Sequence, residues 1–287
     1  MKKASSFVII VIFFCLILSN QFVYSEPGCG TGQFLKLTSW NIRVFSNGSR
    51  DDDELRKICK IAKEFDFIAI QELRDETVLK RMIKMLKKEF SRIYDYDISP
   101  PVGQTRKEYY AFVYDPSFIS PVGTGKIYDD DFFFRKPYYM SFKAVQFDFT
   151  VITTHIIWGS SVTQRRKEIK RLASVFRAIQ DADLKENDVI LLGDFNREHD
   201  DDLAWAPVKA IPGMIHVLRL PLKSVIHDSN LYDNIWFQSN YVKEYTLDKN
   251  VVCFDETDFG NDDKAASLAV SDHRPVWALF RIDFDDD

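Results

Sequence analysis

The chain has 287 residues, of which 46% are hydrophobic and 24 are Phe, so it can fill a sizeable core, and intrinsic disorder is excluded. Its formal net charge of −5 argues against a tight, non-specific DNA binder with a broad basic surface. This charge is compatible with an enzyme that binds phosphate groups through a metal ion and a few local arginines.

Residues 1–25 have the layout of a secretory signal peptide. Lys2 and Lys3 precede an apolar stretch that is too short to span a bilayer, and small residues lie near Ser25. We expect cleavage after Ser25, a single domain over residues 26–287, a secreted or periplasmic protein, and no stable membrane insertion. Cleavage removes both lysines and no acidic residue, so the net charge moves from −5 to −7. The alternative is an uncleaved membrane anchor.

The first part of the mature chain alternates strands and helices. Residues 34–40 alternate apolar and polar side chains as a strand does, and Asp51 or Asp52 can cap the helix that follows. Residues 67–70 form an apolar strand, and a second helix comes next with an apolar face of Val78, Leu79, Met82, Met85 and Leu86. This order and spacing predict an α/β organisation.

The middle of the chain is richer in strands. Residues 108–114 read as a strand, Gly123 and Gly125 as a turn, and residues 138–145 and 147–154 as two strands joined by a tight turn.

A long helix over residues 161–181 follows. Its predicted inner face holds Ile169, Leu172, Ala173, Phe176 and Ile179, and its predicted outer face holds Arg165, Arg166, Lys167 and Arg171. An apolar strand then leads into Gly193, residues 197–230 look irregular because of three prolines, and residues 231–238 and 270–282 read as strands.

Side chains with metal-binding or proton-transfer chemistry recur at the strand ends: Asn41, Glu72, His155, Asp194, Asn196, Asp233, Asp272 and His273. Carboxylates and amides without cysteine suit a hard cation such as Mg²⁺, Mn²⁺ or Ca²⁺ better than zinc. Two histidines can serve as acid and base near neutral pH. Together these groups can hydrolyse a phosphate ester.

Each of these residues also has an ordinary interpretation. Asn41 and Asp194 are common turn residues, Glu72 suits a helix start, and His155 suits a core. Their recurrence at so many strand ends favours a shared site.

Four segments carry a family resemblance: Ser39-Trp40-Asn41, Gln71-Glu72, Gly193-Asp194-Phe195-Asn196 and Ser271-Asp272-His273-Arg274-Pro275-Val276. They resemble the signature blocks of the endonuclease/exonuclease/phosphatase superfamily, in the same order, over residues 34–282. Within that superfamily, the residues around Asn41, Glu72, Glu108 and Arg135 are most similar to deoxyribonuclease I. The resemblance implies an α/β (α+β) four-layer sandwich, in which two mixed β-sheets pack face to face with helices on the outer faces.

The resemblance also implies roles for single residues. Glu72 would be the principal metal ligand, aided by Asn41, Asp194 and Asp272, and Asn196 would be oriented to the scissile phosphate. His155 and His273 would form the acid/base pair, held by Glu108 and Asp233 respectively. Arg43, Arg74 and Arg135 would contact phosphates or the minor groove of DNA.

The chain departs from the deoxyribonuclease I pattern at its cysteines. Acidic runs at residues 129–131 and 198–202 stand where that enzyme has cysteines, so its disulfides are missing and its structural calcium sites are in doubt. Cys29, Cys59 and Cys253 allow one disulfide, and the sequence leaves the pairing open.

The resemblance implies a secreted, monomeric endonuclease that uses Mg²⁺ or Mn²⁺, with Ca²⁺ as an alternative, to hydrolyse DNA phosphodiester bonds by His-assisted attack of water. One alternative is a phosphodiesterase or phosphatase of the same fold that acts on a phospholipid head group or another phosphoester. Arg43 and Arg74 favour nucleic acid over that substrate. The other alternative is a non-catalytic binding or toxin subunit, which predicts the loss of a catalytic position.

Overall fold

The computed structural model describes residues 33–105, 107–159, 161–182 and 187–285. The predicted signal peptide and Cys29 lie outside these residues. The strands are β1 Phe34–Phe45, β2 Phe67–Leu73, β3 Asp95–Ile98, β4 Tyr109–Tyr114, β5 Ile119–Ile127, β6 Tyr138–Ala144, β7 Phe147–His155, β8 Val189–Asp194, β9 Met214–His216, β10 Asp233–Gln238, β11 Tyr245–Val251 and β12 Val276–Arg281. The helices are α1 Asp52–Ala62, α2 Glu76–Phe90, α3 Val162–Gln180, α4 Asp202–Lys209, α5 Phe254–Thr257 and α6 Asp263–Ala269, with a 3₁₀ turn at Ile226–Asp228.

The strands form two mixed, six-stranded sheets. The first has the order β11-β12-β1-β2-β4-β3, and the second has the order β5-β6-β7-β8-β10-β9. A central core of alternate strand side chains, such as Leu37 of β1 and Val151 of β7, packs between the sheets. Helices α1 and α2 cover the outer face of the first sheet, and α3 and α4 cover that of the second. The predicted four-layer sandwich is confirmed.

Each sheet contains a central parallel pair of strands linked by a helix. Strands β1 and β2 are parallel, with Asn41 opposite Gln71, and β7 and β8 are parallel, with His155 opposite Asp194. Their antiparallel neighbours begin at the edge where these strands end. For example, Asp233, the first residue of β10, lies opposite Asp194, the last residue of β8. Parallel strands end at the same edge of a sheet, so polar side chains that follow them are brought together there.

The predicted helices form, and Asp51, one of the two candidates, caps the first of them. Asp51 caps α1 in a capping box with Glu54, and the Asp75 side chain accepts a hydrogen bond from the Val78 N–H group at the start of α2. All five side chains predicted on the inner face of α3 are buried.

Two predictions made from turn formers were wrong. Gly123 and Gly125 lie inside the edge strand β5 rather than in a turn. A Cβ atom at Gly125 would lie 1.7 Å from the Tyr138 hydroxyl oxygen on β6, so glycine permits a close cross-strand approach. Residues 197–230 contain α4 and β9 rather than only irregular structure, because the short helix α4 accommodates Pro207.

Two further predictions were wrong, one for the exposure of Arg165 and one for the start of the last strand. Arg165, predicted on the outer face of α3, is only 8% exposed because its guanidinium donates to the Gly159 carbonyl oxygen in the preceding loop. The last strand begins at Val276 rather than at Val270, and the residues between them form a loop that carries His273.

Within the described residues, no helix is long and apolar enough to cross a membrane. Cys59 and Cys253 are free thiols, and burial raises the pKa of the Cys59 thiol to about 12.

His216 on β9 should make the free energy of unfolding depend on pH. Burial lowers its pKa to about 4, and His199, whose ring centroid is 4.2 Å away, adds to the shift. An unfolded histidine titrates near pH 6.5, so between about pH 6.5 and about pH 4 the unfolded chain binds a proton that the folded chain does not. This stability is therefore present above about pH 6.5 and is lost as the pH falls towards about 4. After discounting for the screening of a half-exposed group, we expect a loss of about 1–2 kcal/mol.

Urea unfolding of the His216→Asn variant across this pH range measures the effect. In this variant the free energy of unfolding should fall less between about pH 6.5 and about pH 4 than in the wild type. His227→Asn, at an exposed histidine, should keep the wild-type dependence on pH. Equal slopes in the wild type and His216→Asn would contradict the prediction.

Candidate active site

Two buried histidines face one carboxylate at the shared edge of the sheets. The His155 Nδ1 atom lies 2.7 Å from Glu108 Oε1, and the His273 Nδ1 atom lies 2.7 Å from Asp233 Oδ2. The Nε2 atoms of both rings lie 3.6 Å from Asp194 Oδ2. Because a carboxylate on Nδ1 fixes the tautomer, both Nε2 atoms are directed to the site. The structure thus brings together the four residues predicted for the acid/base pair and its partners, with Asp194, predicted as a metal ligand, between the two rings.

Asp194 is positioned by an unusual backbone at the end of β8. Gly193 has a φ of +141°, and a Cβ atom there would lie 1.9 Å from the Thr154 carbonyl oxygen on β7. The chain then turns back at Asn196, whose φ is +50°. The Asn196 N–H group donates to Asp194 Oδ1 at 2.8 Å, and its side-chain Nδ2 donates to the Ile156 carbonyl oxygen at 2.8 Å. This turn places Asp194 and Asn196 side by side, next to His155.

Asn41 links the two sheets at the site. Its Nδ2 atom donates to Asp194 Oδ2 at 3.0 Å and to Glu72 Oε1 at 3.4 Å. The Val44 N–H group donates to Glu72 Oε2 at 2.9 Å. Val44 and Glu72 both have positive φ values, 46° and 61°, where the β1–β2 register shifts. Positive φ in such residues is strained backbone of the kind that clusters at functional sites.

These residues fit a divalent cation. Glu72, Asn41 and Asp194 offer carboxylate and amide oxygens, which hard cations prefer. The Asn41 Oδ1 atom is buried and has no hydrogen-bond partner among the described residues, which fits an oxygen that serves as a ligand. Asp272 directly follows Ser271, whose Oγ atom donates to the Asn41 carbonyl oxygen.

A second set of candidate ligand atoms overlaps the first. Atoms of Asp194, Asp233 and His273 lie within 4.8 Å of one another. Because Asp233 and His273 already share a 2.7 Å hydrogen bond, the oxygens of Glu72, Asn41 and Asp194 are more available to a cation.

The charges of the site oppose the effect of burial. Burial raises the pKa of the Glu72 carboxyl, but His155, the Val44 N–H group and Arg74 outweigh it, so the pKa is lowered overall. Burial lowers the pKa of the His155 imidazole, but Glu108 outweighs it and the pKa is raised. The pKa of His273 is raised well above its usual value, since burial is outweighed by Asp233 and Asp194. The neighbouring charges therefore lower the pKa of Glu72 and raise the pKa of both imidazoles, in each case against the effect of burial.

The three predicted DNA-binding arginines lie in two places. Arg74 is 3.3 Å from Glu72 Oε2 and 3.4 Å from Glu108 Oε2, and Arg135 Nε is 2.6 Å from Glu108 Oε1. Arg43 lies apart from them, with its Nη1 atom donating to the Ser267 carbonyl oxygen on α6. Two arginines therefore border the His155 side of the site, and contact with phosphate stays a prediction for all three.

The sequence analysis missed residues that hold the site in place. Ser271 Oγ donates to the Asn41 carbonyl oxygen at 2.7 Å and accepts a hydrogen bond from the His273 N–H group at 3.1 Å. The Tyr110 hydroxyl accepts a hydrogen bond from the His155 N–H group at 2.9 Å. A tyrosine inside an apolar strand signals such a role, because its buried hydroxyl needs a partner.

Replacing Glu108 by Gln should lower kcat on a phosphodiester substrate roughly tenfold or more, with little change in KM. Gln keeps the shape of the side chain but removes the charge that orients and stabilises the imidazole of His155. Because Glu108 would act through His155, the same substitution should have no further effect on kcat in a His155→Ala background. A full additional loss in the double variant would show a separate role for Glu108.

Comparisons with known proteins agree with this geometry. The pattern of the Endonuclease/Exonuclease/phosphatase family matches residues 38–210. The chain is 31% identical over 264 residues to the Deoxyribonuclease of Thioalkalivibrio sp. (strain K90mix), a match that covers 86% of this chain and 71% of that protein.

Solved structures share the fold at low sequence identity. D. rerio TDP2 complexed with single strand DNA product has a TM-score of 0.59 at 17% identity, covering 86% of this chain and 98% of that one. The human Nocturnin catalytic domain with bound sulfate anion has a TM-score of 0.60 at 14% identity, covering 86% and 93%. With two mixed sheets, paired histidines and matched family segments, the chain belongs to the Endonuclease/Exonuclease/phosphatase family.

Proposed function

We propose that the protein is a divalent-metal-dependent endonuclease that hydrolyses DNA phosphodiester bonds by His-assisted attack of water. The observation that carries the proposal is the pair of imidazoles, His155 and His273, whose Nε2 atoms lie 3.6 Å from the same oxygen of Asp194. Hydrolysis of a phosphodiester needs one group that takes a proton from water and another that gives a proton to the leaving oxygen.

In this mechanism the chain supplies positioned proton donors and acceptors. One imidazole takes the water proton at its Nε2 atom, and the other protonates the leaving oxygen from its Nε2 atom. Glu108 and Asp233 hold the rings by their Nδ1 atoms and stabilise the imidazolium form. Asn196 is fixed beside Asp194 and orients the scissile phosphate.

The proposed cation is Mg²⁺ or Mn²⁺, with Ca²⁺ as an alternative, held by Glu72, Asn41, Asp194 and Asp272. When bound, it neutralises negative charge on the phosphate. Arg74 and Arg135, beside Glu108, would add positive charge on the His155 side.

The name of one relative and the content of one solved structure favour DNA as the substrate. The 31%-identical relative is named Deoxyribonuclease, and the D. rerio TDP2 structure contains a single strand DNA product. The arginines are consistent with a polyanionic substrate. We also propose that the protein is secreted or periplasmic and acts as a monomer.

A substrate panel tests this function. The purified protein, residues 26–287, should nick supercoiled plasmid with Mg²⁺ or Mn²⁺ and should stop when EDTA is added. If plasmid, linear DNA and RNA stay intact while a phospholipid head group is hydrolysed, the phospholipid alternative replaces the proposal. If no phosphoester is cut, the non-catalytic alternative replaces it.

Secretion has its own test. The N-terminal sequence of the protein recovered from the periplasm or the medium should begin at Glu26. Retention of residues 1–25 on membrane-bound protein would support the anchor alternative.

A further inference from the structure

Trp158 is an exposed tryptophan at the rim of the candidate active site. It is 62% exposed, whereas Trp40, Trp205 and Trp236 are fully buried. Its ring centroid lies 6.2 Å from that of Tyr232, and the planes are tilted by 54°. We call these two side chains the aromatic rim. A single exposed apolar side chain is ordinary on a protein surface, but Trp158 and Tyr232 form an aromatic pair beside the candidate active site.

Backbone hydrogen bonds place the aromatic rim beside the proposed phosphate-orienting residue, Asn196. The Phe195 N–H group donates to the Tyr232 carbonyl oxygen at 3.0 Å. Asn196 Nδ2 donates to the carbonyl oxygen of Ile156, two residues before Trp158. Tyr232 also directly precedes Asp233, which holds His273. Both rings therefore flank the segment that carries Asp194 and Asn196.

A buried arginine supports the aromatic rim and gives it positive charge. The Arg165 guanidinium lies 5.4 Å from the centroid of the Trp158 ring, in cation–π geometry. It also donates to the Gly159 carbonyl oxygen, directly after Trp158 in the chain. Burial raises the pKa of the Tyr232 hydroxyl, Glu198 and Asp194 act in the same direction, and Arg165 and Arg197 oppose them. Arg197 is itself paired with Asp201, so Arg165 is the guanidinium that lies against the aromatic rim.

This combination suits a nucleobase attached to an anionic backbone. Bases of a single strand stack on exposed aromatic side chains while arginines contact the phosphates. In a duplex the faces of interior bases are already stacked, so they are not available to a protein ring without unstacking.

We propose that Trp158 and Tyr232 stack on an unpaired base next to the scissile phosphate, so that the enzyme prefers single-stranded or frayed DNA to an intact duplex. This inference rests on the proposed nuclease function and specifies its substrate class.

Binding without cleavage provides the first test. In EDTA, a short thymidine oligonucleotide should quench the fluorescence of the wild-type protein, because Trp158 is the most exposed of the tryptophans in the described residues. By fluorescence anisotropy of a labelled oligonucleotide, Trp158→Ala should weaken binding about 5- to 100-fold, and Trp158→Phe should retain most of the affinity. Binding of a blunt duplex of the same length should change less than about twofold.

Cleavage provides the second test. With Mg²⁺ or Mn²⁺, Trp158→Ala should raise KM for the single strand by a similar factor and leave kcat for both substrates nearly unchanged. Leu247→Ala, which removes a comparably exposed apolar side chain from β11, should behave as the wild type.

The outcomes separate this inference from the proposed function. If the wild type cuts DNA but Trp158→Ala binds and cuts the single strand as the wild type does, the inference is overturned and the nuclease function stands. If the wild type cuts no DNA but Trp158→Ala loses affinity for the oligonucleotide, the nuclease function fails and base stacking stands.

Discussion

Replacing His155 by Ala should lower kcat for DNA cleavage by about 10²- to 10⁴-fold, the range expected when a general acid or base is removed. The Nε2 atom of the His155 ring lies 3.6 Å from Asp194 Oδ2, while its Nδ1 atom is held by Glu108. Loss of the ring should leave the fold intact, because the buried carboxylate of Glu108 keeps its ion pairs with Arg74 and Arg135. KM should therefore change little, and steady-state kinetics on plasmid or oligonucleotide measure the loss.

A matched substitution separates catalysis from folding. His227→Asn removes an exposed histidine that pairs with Asp263, and Asn tolerates the positive φ of 70° at this position, so kcat and thermal stability should change little. A His155→Ala variant that folds normally and keeps wild-type kcat would refute the acid/base assignment.

Replacing Gly193 by Ala should destabilise the protein by about 3 kcal/mol or more, through strain at positive φ and overlap with a neighbouring strand. The new methyl group would lie 1.9 Å from the Thr154 carbonyl oxygen, a backbone atom held in the β7–β8 pair. To relieve this overlap, β7 and β8 would have to separate where His155 lies opposite Asp194. We expect Tm to fall by about 6–12 °C and activity to fall with it, even below Tm.

Gly48→Ala is the control for this substitution. A Cβ atom there would meet no atom within 4 Å, so stability should change by less than about 0.5 kcal/mol. Thermal unfolding followed by circular dichroism measures both variants. A Gly193→Ala protein as stable and active as Gly48→Ala would show that β7 and β8 can separate slightly without loss.

The sequence predicts the elements that have strong local patterns. The inner face of α3, a cap of α1 at Asp51 or Asp52 and the strand before Gly193 follow from periodicity and capping chemistry alone. The recurrence of polar side chains at strand ends also predicts that His155 and Asp194 share a site. The face-to-face packing of the sheets and the hydrogen-bonded partners Glu108 and Asp233 came from the family resemblance.

The remaining features depend on contacts that the local pattern of each segment does not show. Arg165 is charged and lies on a helix, so local patterning places it in solvent, yet a loop and Trp158 cover it. Gly125 looks like a turn former until its neighbour Tyr138 on β6 is known. The sequence around Ser271 and Tyr110 does not indicate their roles. Each forms a hydrogen bond with a backbone group of a distant segment of the candidate site.

The hydrogen bond from Asn41 to Asp194 has a consequence for folding. It joins residues 153 positions apart, and the bond from Trp40 Nε1 to the His273 carbonyl oxygen spans 233 positions. Such distant contacts form late, because loop closure must precede them. A chain with only one sheet formed would hold Asn41 and Glu72, or His155 and Asp194, but not both sets. During refolding, the proposed nuclease activity should therefore return only with complete docking of the two sheets.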